Sequence, residues 1–147
     1  MDKNALRTAL LALEGHELQA ARDAYAGYLA ASRPDDSEAS GVQAHSLAVE
    51  DAELAEGLEA PLQSAEAAMA RLQAIDFGPK DEVAPGALLS IGGQRFVVAV
   101  ATRPFDVHGT TVMGVSTDSP LYQAARGLGA GDAFELGGKA RTIDSVE

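Results

Sequence analysis

Three carboxylates fall within four residues, Asp35, Asp36 and Glu38, and hard oxygen donors at that density can coordinate Mg²⁺ weakly. Three such groups do not close an octahedral shell, so a metal held here would need further ligands from a partner molecule. The same residue types also suit a solvated turn, because carboxylates are favourable at a helix N-terminus. Position separates the two readings. Acids at the end of a long hairpin can be delivered into a cleft of another molecule, and the flanking sequence predicts such a hairpin.

No other constellation competes. His16, His45 and His108 lie in unrelated segments without the paired spacing of a zinc site. Ser116, Asp118 and Ser119 have no nucleophile elbow and no nearby histidine base, so capping and turn roles are expected of them. The glycines of the second half precede no Gly-Lys-Ser/Thr and sit in no parallel βαβ unit, which argues for turns and against a phosphate loop. The chain by itself is therefore not expected to be an enzyme, nor to carry a cofactor of its own.

Composition narrows the partners. A formal charge of −11 over 147 residues repels a phosphate backbone. The absence of tryptophan, with 5% aromatics, argues against a stacking surface for single-stranded nucleic acid. The first 76 residues hold Lys3, Arg7, Arg22, Arg33 and Arg71 as their only cations, and Glu50, Asp51, Glu53, Glu56 and Glu59 make a negative stretch that reads as a solvated face. With no cysteine there is no disulfide or thiolate site. No leader and no membrane-spanning run is legible, so a cytoplasmic, unprocessed protein is expected.

The elements that would position the acids follow from hydrophobic period. Leu6, Leu10, Leu13, Glu17, Ala20, Ala24 and Ala31 are spaced mostly by three and four, which predicts a first helix over about residues 4–31. It should stop near Ser32-Arg33-Pro34, where proline can neither donate nor tolerate a helical predecessor. Asp36 or Ser37 would cap a second helix running to about Ile75 along Leu47, Asp51, Leu54, Leu58, Ala65, Met69 and Leu72. A kink or broken turn is expected between Gly57 and Pro61. The pair should pack antiparallel as a coiled-coil stalk, about 40 Å long at 1.5 Å per residue.

Near residue 76 the composition turns Gly- and Val-rich, giving a helical hairpin over 1–76 and a β domain over 83–147. Residues 87–91 and 95–101 read as strands joined at Gly92-Gly93. Another strand is expected at 110–116, a short helix from Ser119-Pro120-Leu121 to Gly127, and closing strands at 133–136 and 140–146 around Gly137-Gly138. The fold class is α+β: a helical hairpin plus a small curved antiparallel sheet with one helix.

The segment Gly114-Val115-Ser116-Thr117-Asp118-Ser119-Pro120-Leu121-Tyr122-Gln123-Ala124-Ala125-Arg126-Gly127-Leu128-Gly129-Ala130-Gly131-Asp132 resembles the C-terminal domain signature of the Gre family of bacterial transcript-cleavage factors, in which a strand leads to Ser-Pro-Leu, a short helix, Gly and then Gly-Asp. Residues 86–101 are similar to that domain's opening hairpin and 140–146 to its final strand, so the likeness covers nearly all of 83–147. The hairpin is similar in architecture and hardly in sequence. At its tip the family motif continues with Asn and then Glu-Tyr, where this chain reads Asp35-Asp36-Ser37-Glu38-Ala39-Ser40.

The resemblance implies an FKBP-like β domain without isomerase activity, docking on RNA polymerase through a motif carried by Ser119, Pro120, Leu121, Gly127, Gly131 and Asp132. It further implies a monomer whose hairpin enters the polymerase secondary channel, touching nascent RNA and DNA only within the elongation complex. There Asp36 and Glu38, with Asp35 as an alternate, would help hold a second Mg²⁺ shared with the polymerase. The outcome would be stimulated cleavage of backtracked RNA, or regulation of transcription by occupying the channel. The alternative is a non-catalytic adaptor whose hairpin binds a different protein.

Overall fold

The computed structural model describes residues 1–32 and 42–147, with side chains described over 1–31, 57 and 59–147. The chain forms α1 (Lys3–Ser32), α2 (Val42–Ala74), β1 (Leu88–Ile91), β2 (Gln94–Ala99), β3 (Phe105–Val107), β4 (Thr110–Ser116), α3 (Pro120–Ala125), β5 (Ala133–Leu136) and β6 (Lys139–Val146). Two compact units emerge from its contacts, Met1–Leu11 with Arg71–Glu147, and Ala12–Ala70.

In the first unit the start of α1 is set by Asp2, whose carboxylate accepts from the Asn4 amide at 2.9 Å while its carbonyl accepts from Leu6 N–H. That is an N-cap with a favourable charge at the helix N-terminus. Leu6, Leu10 and Leu72 are fully buried within this unit, so the helix ends belong to the same packed body as the sheet. Lys3 Nζ ties them down, donating to the Glu147 carbonyl at 2.7 Å and the Gly78 carbonyl at 3.3 Å. Burial holds this ammonium below the usual lysine range, and the nearby charge of Lys80 acts the same way against Glu147 and Asp76.

Six strands make one sheet in the order β3-β4-β2-β1-β6-β5. The pairs β1–β2, β1–β6, β3–β4 and β5–β6 are antiparallel, but β2 and β4 run parallel, with Val97 opposite Gly114. The sheet is antiparallel as expected, with that pair the exception. Its cause is the short β3, which leaves no period in the sequence: the chain leaves β2, forms Phe105–Val107, and turns at His108-Gly109 so that β4 lies between β3 and β2. His108 takes a positive φ of 50° at that turn, a conformation uncommon outside glycine but open to histidine. Gly114 has to be glycine, because a Cβ there would overlap the Val100 carbonyl and the Thr102 side chain.

Opposite residues share a face of a sheet. One face carries Leu89, Ile91, Val98, Val115, Phe134 and Ile143, which pack with Val83, Ala87 and with Tyr122 and Ala125 of α3 as a continuous core. The other carries the buried Leu88, Val97 and Val112.

The second unit is the helical pair. A Cβ added at Gly15 of α1 would stand 3.6 Å from Met69 Cε of α2, so the two helices pack side by side as the antiparallel hairpin the stripes predict. No break appears between Gly57 and Pro61: α2 is assigned without interruption from Val42 to Ala74. The expected cap at Asp36 or Ser37 lies outside the described residues. No helix among the described residues is long and apolar enough to cross a membrane.

Candidate functional site

The tip acids Asp35, Asp36 and Glu38 also lie outside the described residues, and with them the expected Mg²⁺ ligands. Among the described residues no group of three or more His, Asp or Glu is placed to hold a metal ion.

The Ser119–Asp132 segment is fully described. Ser119 caps α3, its Oγ accepting from the Tyr122 amide at 3.2 Å, and Pro120 follows at the first helical turn, where its missing N–H costs nothing. The helix closes as Arg126 N–H donates to the Tyr122 carbonyl at 2.8 Å. Gly127 and Gly131 have φ of 79° and 86°. Asp132 Oδ2 accepts from the Gly129 amide at 2.8 Å, and Gly131 N–H donates to the Ile143 carbonyl at 2.7 Å, fixing the turn against β6. Ser119, Pro120, Gly127, Gly131 and Asp132 thus shape the backbone, while Leu121 presents a side chain to a cavity.

That cavity has a volume of about 240 Å³. Its walls come from β1 (Ile91), β2 (Gln94, Phe96), β4 (Val115), α3 (Leu121), β5 (Phe134, Leu136) and β6 (Arg141). Strands at positions two and six of the sheet order meet around one space, so the sheet curls about α3, and the helix is too short to fill the curl. A second hollow of about 190 Å³ shares Gln94 and Phe96 and continues past Arg95, Pro104, Thr111 and Met113. Met113 is one of few large apolar side chains left exposed.

The polar members are Gln94 and Arg141, both exposed. The register puts Lys139 opposite Leu136 and Arg141 opposite Phe134, so the β5 and β6 positions on this face offer two cations and no carboxylate, while Asp106 of β3, opposite Thr111, is on the same face at the other edge of the sheet. In a chain of charge −11, this is an apolar hollow with a locally positive rim. Phe96 and Phe134, far apart in sequence, both line this cavity. Alternation within β2 and β5 is the signal that could have found them, since it places each phenylalanine on the face of Val98 or Leu136.

Neither a family model nor a curated protein sequence matches the chain. Among solved structures it is similar to the GreA factor homolog 1 (Gfh1) protein of Thermus thermophilus, at 19% identity over 96% of this chain and 92% of that one, with a TM-score of 0.36. A further structure of the transcription factor Gfh1 shows 17% identity over 96% and 90% of the two chains, TM-score 0.35. Thermus aquaticus Gfh1 shows 16% over 96% and 91%, TM-score 0.33.

Proposed function

We propose that this chain is a Gre-like transcription elongation factor that binds RNA polymerase at its secondary channel, docking through the sheet unit. The observation that carries this reading is the β4–α3–turn segment. Its Ser-Pro-Leu and Gly-Asp positions, which give the sequence its resemblance to the Gre domain, build a capped helix and a tight turn that hold the half-buried Leu121 at the wall of an apolar cavity with Arg141 on its rim. A single large apolar side chain of the polymerase would fill a space of that size. Asp35, Asp36 and Glu38 would reach the polymerase active site at the hairpin's end, where Asp36 and Glu38 help hold a shared Mg²⁺. The chemistry would be the polymerase's, with this chain inert alone, monomeric and cytoplasmic.

The test is cleavage of backtracked RNA by purified bacterial polymerase, beside a binding measurement on the same complex. Binding that weakens at least tenfold in Leu121→Asp, with Mg²⁺-dependent cleavage lost in the Asp35→Ala/Asp36→Ala/Glu38→Ala chain, supports a cleavage factor. Binding without cleavage leaves a channel-occupying regulator. Absence of binding overturns the reading.

A further inference from the structure

Helix propensity makes Gly57 and Pro61 poor choices for the middle of a 33-residue helix. Pro61 has no N–H to donate to the carbonyl four residues back, and its ring presses on that same carbonyl. Four residues back is Gly57, itself a poor helix former. Packing does not call for either residue type. A Cβ on Gly57 would meet nothing within 4 Å, its φ is not positive, and both residues are exposed.

The other arm has the same weakness at the same height. Gly15 of α1 packs on Met69 of α2. Twelve residues further along α1 stands Gly27, and twelve residues back along α2 stands Gly57, each about 18 Å from the contact at 1.5 Å per residue. Gly27 is likewise exposed and helical, and a Cβ placed on it would meet no atom within 4 Å. Gly15 by contrast faces the partner helix. Two glycines that serve no packing therefore face each other in level across the hairpin, with the missing hydrogen bond of Pro61 one turn away.

We infer that this level is a hinge: the hairpin's far part, which in sequence carries Asp35, Asp36 and Glu38, bends about Gly27 and Gly57–Pro61 while the part nearer Gly15 and Met69 stays rigid. Such a hinge lets the acids be re-aimed without disturbing the sheet unit, and it stands whether or not the partner is RNA polymerase.

The absence of cysteine allows clean spin labelling. Labels at Ala44→Cys and Ala70→Cys flank the hinge on α2, 26 residues or about 39 Å apart along a straight helix. Pulsed electron-spin distance measurement should give a broad distribution reaching well below that value. Gly57→Ala/Pro61→Ala, and more fully Gly27→Ala/Gly57→Ala/Pro61→Ala, should narrow it towards the straight-helix distance and slow amide exchange at residues 57–60 at least tenfold. A narrow distribution in the unsubstituted chain, at the straight value or as one fixed shorter distance, overturns the hinge. So does a broad one that the alanine substitutions leave unchanged.

Discussion

The two compact units are stabilised by different means. In the unit containing the sheet, leucine, valine, isoleucine and phenylalanine side chains from the six strands and the helix ends are buried together with Tyr122 and Ala125 of α3. In the helical unit, Leu18 and Glu14 are the buried side chains among the described residues. Alanine accounts for the difference, since it favours helix but buries little area. Tertiary packing thus secures the sheet unit, while the hairpin relies on local helix propensity, which is also where it can tolerate two unneeded glycines and a proline.

The largest expected effect breaks the better-packed side. Ile143 is fully buried opposite Ile91, where β6 joins β1, so Ile143→Ala should cost about 2–5 kcal/mol in urea unfolding followed by tyrosine fluorescence. Leu18→Ala should cost less, because Leu18 is the only buried apolar side chain among the described residues of its unit and belongs to no larger core. Equal losses at the two sites would sink the comparison.

Much of this contrast is legible in the sequence. The spacing of Leu6, Leu10 and Leu72 and the strands read at 87–91 and 95–101 come through as α1, α2, β1 and β2. The glycine pairs at 92–93 and 137–138 are turns with positive φ, as β-hairpins need. Two things are not legible. The composition shift near residue 76 marks where helix gives way to sheet, yet the helix ends pack with the sheet, because long-range burial leaves no mark on local composition. β3 is three residues long, too short for a period, and without it the parallel β2–β4 pair cannot be foreseen. Ser119-Pro120 is readable as a cap from residue types alone; the cavity beside it is not.

A middle-sized effect sharpens the comparison within the sheet unit. Ser119→Ala removes the acceptor for the Tyr122 amide, at about 1 kcal/mol. Because α3 has only six residues and carries Leu121 into the cavity, the loss should also loosen the site. Ser119→Asp, which restores a capping oxygen, should recover the stability. Thermal unfolding of the three chains decides it, and no recovery by aspartate would mean that the hydroxyl matters for some other reason.

The smallest effect lies in the hairpin and has a sign that pH reveals. Burial pushes the Glu14 carboxyl above the ordinary glutamate range, and the charge of Glu17, three residues on, adds to it. A carboxyl whose pKa is higher in the folded chain favours folding when protonated. That contribution is fully present below the unfolded value, near pH 4.3 for glutamate, and is lost as pH rises through the folded value. At pH 7 the buried carboxylate therefore weakens the helical unit, and Glu14→Gln, neutral and of equal size, should raise the urea midpoint. The gain should shrink to nothing as pH falls below about 4, where the native residue is itself neutral. A gain that persisted unchanged at low pH would show that the amide stabilises by a new hydrogen bond. A loss at pH 7 would show that the carboxylate is paired in solution, and that the hairpin is held by more than helix propensity.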